Sequence, residues 1–249
     1  MQHIHTLGRF FTLALSILAS FSLDTQASAA PLLTKDYPVY SLQKDLRRCA
    51  APGCGGWWVT LVNGSSQSLL SERPLTAEAP SATPAPEYVA SLDFACVGWS
   101  PESITRFTSL AEGHSLLVAG KLLQPRPADT NAALLQYGAL QVSDGFYSAT
   151  ASAAKEPVYS LTSTGIVCAV APCPSFQLQA INSRTSQELH ALEFADTLTP
   201  EQIQRAQSLI ATSGLLVSGS QQAFKGPAGT GTSLRIGQIF WPYPAVQPD

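Results

Sequence analysis

The chain has 249 residues, 45% of them hydrophobic and only 12% charged, about half the charged share of an ordinary globular domain. That balance excludes a disordered tail, a collagen and a coiled coil. Lys+Arg 14 against Asp+Glu 17 gives a net charge of −3, so no basic surface of the kind a nucleic-acid partner needs is present, and nucleic acid is set aside.

Residues 1–29 have the layout of a signal peptide. Arg9 precedes an apolar core from Phe10 to Phe21, followed by polar Asp24-Thr25-Gln26 and the small-residue site Ala27-Ser28-Ala29; these are the features the export machinery and its peptidase read. The core is short for a membrane span, and no later apolar run approaches ~20 residues. The expectation is a mature protein with no membrane span, in the periplasm or outside the cell, where disulfides persist.

From residue 37 onward the chain reads as two copies of one pattern, with a period near 119 residues at its start. Val39-Tyr40-Ser41-Leu42 returns as Val158-Tyr159-Ser160-Leu161, and Cys49, Cys54 and Asn63 are answered in register by Cys168, Cys173 and Asn182. Further on, Leu92-Asp93-Phe94-Ala95 matches Leu192-Glu193-Phe194-Ala195, and Leu116-Leu117-Val118-Ala119-Gly120 matches Leu215-Leu216-Val217-Ser218-Gly219. A repeat this long fixes architecture more firmly than a short motif does. The domains expected are 37–147 and 157–243, joined by a small-residue linker at 148–156. The first copy carries a Ser-, Pro- and Ala-rich insert over Gly64 to Glu87, read as a surface loop.

In chain order, the alternating or apolar runs Tyr40–Lys44, Trp57–Asn63 and Tyr88–Ala95 read as three strands. Ser100-Pro101-Glu102 then signals a helix start, with a hydroxyl cap, Pro at the first helical position and an acid in the first turn; that helix runs through Leu110. Strands follow at Ser115–Leu122 and Leu135–Val142. The second copy repeats the scheme, with Thr199-Pro200-Glu201 opening a helix through Ile210 and strands at Leu215–Gln221 and Ser233–Ile239. Each copy is therefore a β-rich α+β unit of order βββαββ. A helix between the third and fourth of five strands is the order of the OB barrel, which binds ligands at its first-to-second and fourth-to-fifth strand loops. Here those are the Cys loops and the segments Gln124–Ala133 and Phe224–Thr232. An open five-stranded sheet with one packed helix gives the same string.

The stretch from Asp45 to Val59, DLRRCAAPGCGGWWV, resembles a family of exported bacterial proteins known as a domain of unknown function. Its pattern is an acid and a basic pair before Cys-x-x-Pro-x-Cys-Gly-Gly-aromatic, then a strand ending in Val-Asn, supplied here by Val62-Asn63. The resemblance covers most of the mature chain and implies export and a β-rich fold. It brings no catalytic residues. The second copy departs from the pattern, with Thr164, Ile166 and Val167 in place of Asp45, Arg47 and Arg48.

In an exported chain the two Cys-x4-Cys pairs read most simply as local disulfides, Cys49–Cys54 and Cys168–Cys173. Cross-pairing and a shared tetrahedral metal are the alternatives, the latter requiring the two loops to meet face to face. Cys96 is the odd thiol, read as a small buried residue beside a strand end. Asp45, Arg47, Arg48, Trp57 and Trp58 gather beside a constrained tip, and arginine forks and tryptophan faces are what binding hot spots are made from. Adjacent residues of a strand face opposite ways, so one of the two tryptophans is expected in the core. Gly226-Pro227-Ala228-Gly229-Thr230-Gly231 lacks the Lys-Ser/Thr of a phosphate loop and reads as a flexible connection. No hydrolase elbow, zinc-helix motif, EF-hand or purposeful carboxylate pair is present, and no catalytic residue, cofactor or metal is assigned. The function expected is a non-enzymatic module that binds a protein or glycan through a disulfide-stapled loop. The alternative is a thiol-dependent enzyme using Cys96 with His114.

Overall fold

The computed structural model describes residues 32–34, 36–47, 54–64, 85–125 and 136–243. The expected signal segment, Arg48, Cys49 and most of the segments 64–87 and 124–133 lie outside them.

The strands of the first half are β1 (Val39–Lys44), β2 (Trp57–Leu61), β3 (Glu87–Val89), β4 (Ser91–Asp93), β5 (Leu116–Leu123) and β6 (Ala139–Ser148). Those of the second are β7 (Val158–Ser163), β8 (Phe176–Ala180), β9 (Ser186–Leu189), β10 (Ala191–Phe194), β11 (Leu215–Gly226) and β12 (Gly229–Tyr243). Helix α1 (Pro101–Ser109), prolonged by a 3-10 turn at Leu110–Glu112, precedes β5, and helix α2 (Pro200–Thr212) precedes β11. Both helices begin where their caps are written. The Ser100 side chain accepts from the Ser103 amide, and Thr199 forms a full capping box with Gln202, satisfying amides that have no partner within the helix. Each first-turn glutamate, Glu102 and Glu201, is held below the usual carboxylate range, first by its own backbone amide and then by the cap hydroxyl.

The strands form one open, predominantly antiparallel sheet of twelve, in the order β3-β2-β1-β5-β6-β12-β11-β7-β8-β9, with β4 beside β6 and β10 beside β12. Two expectations are corrected here. The run Tyr88–Ala95 is two three-residue strands, because the chain turns at Ala90, whose amide donates to the Gly138 carbonyl at 3.1 Å. β3 stays antiparallel to β2 while β4 runs parallel to β6, so no continuous third strand closes a five-stranded barrel. The second correction is Phe224–Thr232, together with the Gly226–Gly231 stretch inside it: β11 and β12 stay paired from Leu216↔Phe240 out to Gly226↔Gly229. A two-residue turn at Pro227-Ala228 stands where a flexible connection was expected, because a tight turn lets both strands extend their ladder.

The pairings of the second half follow those of the first. β1 lies between β2 and β5 as β7 lies between β8 and β11, and both parallel pairs sit at corresponding places. Both long hairpins shift register before a glycine, at Ala119/Gly120 and Ser218/Gly219. A Cβ on Gly120 would collide with the Gln141 carbonyl, and one on Gly219 with that of Arg235, so the bulge admits only glycine.

Each half has its own core: Trp57, Val59, Phe107, Val118 and Leu140 are buried in the first, and Leu161, Leu178, Ile210, Leu234 and Ile236 in the second. A third cluster fills the seam with Val39, Val62, Leu117, Phe146, Val158, Ile181, Leu216 and Phe240. Each large side chain buried there contributes roughly 1.5–3 kcal/mol. Two asparagines at positive φ, Asn63 (55°) and Asn182 (61°), bracket the seam reciprocally. Asn63 Nδ2 donates to the carbonyls of Val158 (2.6 Å) and Ile181 (3.2 Å) while its Oδ1 accepts from the Val158 amide. Asn182 does the same to Val39 and Val62. The segment 148–156 is pinned as well, for buried Gln238 donates to the carbonyls of Thr150 and Ser152.

Candidate functional site

The first Cys loop leaves β1 at Lys44 and rejoins the sheet at Trp57. Its base is closed by the Asp45 amide, which donates to the Gly56 carbonyl at 3.0 Å. Asp45 is buried, at 5% exposure, and its carboxylate is fully engaged. Arg47 Nε donates to Oδ1 and Nη2 to Oδ2, both at 2.9 Å, and the Arg47 amide donates to Oδ1 at 3.1 Å. This two-pronged pairing suits the planar guanidinium. The Arg47 side chain, acting first through its hydrogen bonds, holds the Asp45 carboxyl below the usual carboxylate range against the opposing effect of burial, and Asp45 in turn raises the guanidinium.

The same guanidinium lies over aromatic rings, 5.1 Å from the Trp58 centroid and 5.7 Å from that of Tyr88, within cation–π range. Trp58 and Tyr88 are directly opposed across β2 and β3, with ring centroids 5.1 Å apart, and Tyr88 meets Tyr137 at 4.8 Å, both edge to face. The Tyr88 hydroxyl accepts from the Gly56 amide at 2.9 Å. That approach needs glycine at 56, since a Cβ there would collide with the Tyr88 hydroxyl and the Val89 carbonyl. The result is a half-buried row, Trp58, Tyr88 and Tyr137, with a fixed cation above it.

The expected site residues divide accordingly. Asp45, Arg47 and Trp58 come together; Trp57 faces the core and Trp58 does not, as strand alternation requires. Arg48 and Cys49 lie outside the described residues. Tyr88 and Tyr137 were not picked out in the sequence. Tyr88 opens a strand-like run, but its position opposite Trp58 depends on a register that the long intervening segment leaves open.

Beside this row runs an open groove of about 1240 Å³, lined by Gln43, Trp58, Thr60, Glu112, His114 and Lys155 among others. In the second half the corresponding loop carries the Cys168–Cys173 disulfide, and Cys54 is also disulfide-bonded. Its base closes the same way, Thr164 amide to Ser175 carbonyl at 2.9 Å, but Gln177 and Glu188 stand opposed where the first half has Trp58 and Tyr88.

A family model matches residues 38–245, described as a domain of unknown function, DUF6748. The chain belongs to that family. No curated protein and no solved structure matches it. The DUF6748 match spans both halves and both Cys loops, and its description assigns no activity.

Cys96 is a free thiol on an exposed turn, which corrects its reading as a buried residue: in the turn after β4 it is the neighbouring Val97 that packs against the core, while Cys96 stands out. His114 hydrogen-bonds through Nδ1 to the Ser148 carbonyl at 2.8 Å and packs edge-on to Tyr147, so its described partners lie at the end of β6. Among the described residues no group of three or more His, Cys, Asp or Glu is placed to hold a metal ion, and no helix is long and apolar enough to cross a membrane.

Proposed function

We propose that this chain is an exported, non-enzymatic binding module whose contact surface is the first-half platform of Arg47, Trp58 and Tyr88, and that its partner is a protein or a glycan. One observation carries the reading: a guanidinium clamped by a buried carboxylate over a half-buried aromatic row, in one half only. A side chain already ordered before binding loses little entropy on contact, and arginine and tryptophan supply much of the energy in recognition surfaces. Core packing alone does not call for a cation there, since the second half manages with Ile166 and Gln177 in the same register.

The reading takes residues 1–29 as a signal peptide and places the mature chain in the periplasm or outside the cell; the disulfides at Cys54 and at Cys168–Cys173 suit an oxidising compartment. It takes 37–147 and 157–243 as tandem repeats joined at 148–156, each of OB-like connectivity. In each half the strand before the helix, β4 or β10, pairs in parallel with the second strand of the long hairpin that follows it, β6 or β12, and this supports that connectivity.

The test exchanges the platform for its second-half counterpart in the full chain, as Asp45→Thr, Arg47→Ile and Trp58→Gln together. Wild type and variant, matched by circular dichroism, are applied to a glycan array and to crosslinked envelope extract. Enrichment of a glycan or protein by the wild type, reduced about tenfold or more in the variant, is the expected result. Equal enrichment by both would sink the assignment.

A further inference from the structure

Among the described residues four large apolar side chains stand exposed, and three of them crowd the second Cys loop: Ile166 (48%), Val167 (93%) and Val170 (51%). The loop is held so that they stay outside. The disulfide closes it, the Thr164 hydroxyl donates to the Pro174 carbonyl at 2.8 Å, and the Ala228 amide in the β11–β12 turn donates to the Ala171 carbonyl at 2.9 Å. Pro172 also packs against the hairpin at Gly226 and Gly231, so close that a Cβ on Gly231 would meet its ring. Loop and hairpin end therefore form one tip.

Charge is nearly absent from that tip. From Pro157 to Ser183 there is no Asp, Glu, Lys, Arg or His, and the β11–β12 hairpin from Leu215 to Leu234 contributes Lys225 alone, which is exposed. In a chain of net charge −3, the loop and hairpin end present aliphatic side chains and a single cation, and the nearest carboxylate is the exposed Glu188 on β9, opposite Gln177 at the base.

We propose that this tip docks on a lipid bilayer surface, with Ile166, Val167 and Val170 entering the boundary between headgroups and acyl chains and Lys225 facing anionic headgroups. Burying apolar area at the interface drives such binding and anionic lipid strengthens it. A charged residue in the inserted segment would oppose it, and the segment has none. The proposal stands apart from the first-half platform and survives its failure.

The experiment is co-sedimentation of the full chain, disulfides intact, with vesicles of phosphatidylglycerol and phosphatidylethanolamine and, separately, of phosphatidylcholine. Wild type should sediment with the anionic vesicles and more weakly with phosphatidylcholine. Val167→Asp should lower the partition coefficient about tenfold without altering the fold, since the side chain is exposed. Lys225→Glu should weaken binding to anionic vesicles alone, and Leu46→Asp in the first loop should change nothing. Wild type remaining in the supernatant, or Val167→Asp binding as well as wild type, would overturn the proposal. So would a self-association by sedimentation velocity that Val167→Asp abolishes while vesicle binding stays absent.

Discussion

The two Cys loops close with the same backbone bracket and present opposite surfaces. In each, the residue after the first strand donates its amide to a carbonyl just before the second, Asp45 to Gly56 and Thr164 to Ser175, and a Cys-x4-Cys spacing lies between. From there they part. The first is secured by the Asp45–Arg47 pair and an aromatic row, the second by a Thr164 hydroxyl and the neighbouring hairpin. The difference teaches that one backbone bracket at the base of a loop is compatible with entirely different side chains beyond it. One such loop carries a clamped cation and the other an uncharged aliphatic tip, because the bracket at the base is made by backbone groups that every residue but proline supplies.

The largest expected effect falls where the halves are alike. Asn63→Ala removes three hydrogen bonds across the seam and puts a residue that disfavours the left-handed region at φ 55°, so a loss of about 3–4 kcal/mol in denaturant unfolding is expected. Asn182→Ala should cost a similar amount. A large asymmetry between the two would break the view of the seam as a reciprocal bracket. Gly56→Ser, which installs the second-half residue, should cost about 2–3 kcal/mol by overpacking against Tyr88 and Val89, whereas Ser175→Gly should be nearly neutral. Equal effects would mean that the aromatic row does not set the packing of the first loop.

Removing the second staple, as Cys168→Ser with Cys173→Ser, should cost about 2 kcal/mol or less because the closed ring is small. Amide exchange should quicken within 164–175 far more than in β7 or β8. The subtlest contrast is with pH. Asp45 has a lowered folded carboxyl, so its contribution is present in full above the unfolded value of about 3.9 and is lost as pH falls through the lower folded value. Asp45→Asn should therefore lower Tm at pH 7 and converge with wild type in acid. Thr164→Ala, at the uncharged counterpart, should shift Tm by the same amount at both pH values. Thermal melts across that range decide it, and an Asp45→Asn deficit that does not shrink in acid would count against the pair.

Much of the fold was legible in the chain. Ser100-Pro101-Glu102 and Thr199-Pro200-Glu201 marked both helix starts, since caps are local chemistry read within one turn. β1, β5, β7 and the start of β11 were visible from apolar runs that the core demands. The break at Ala90 was not, because Tyr88–Ala95 keeps one alternating pattern while its two parts pair with different neighbours. The tight turn at Pro227-Ala228 was missed for a related reason: glycine-rich composition marks a turn or a loose loop alike, and the long ladder of β11 on β12 chooses between them. Of the site, Asp45, Arg47 and the division of labour between Trp57 and Trp58 could be read from spacing and strand alternation. Tyr88 and Tyr137 could not.

By itself the sequence determined where helices begin, which strand faces are apolar and the spacing of the cysteines, because each depends on residues near one another in the chain. The tertiary structure alone decided that the halves share one sheet through β6 and β12, that Asn63 and Asn182 reach across the seam, and that Arg47 lies over Trp58 and Tyr88. Those are contacts between distant segments, fixed by register and by the burial of a common core, and no local pattern encodes them.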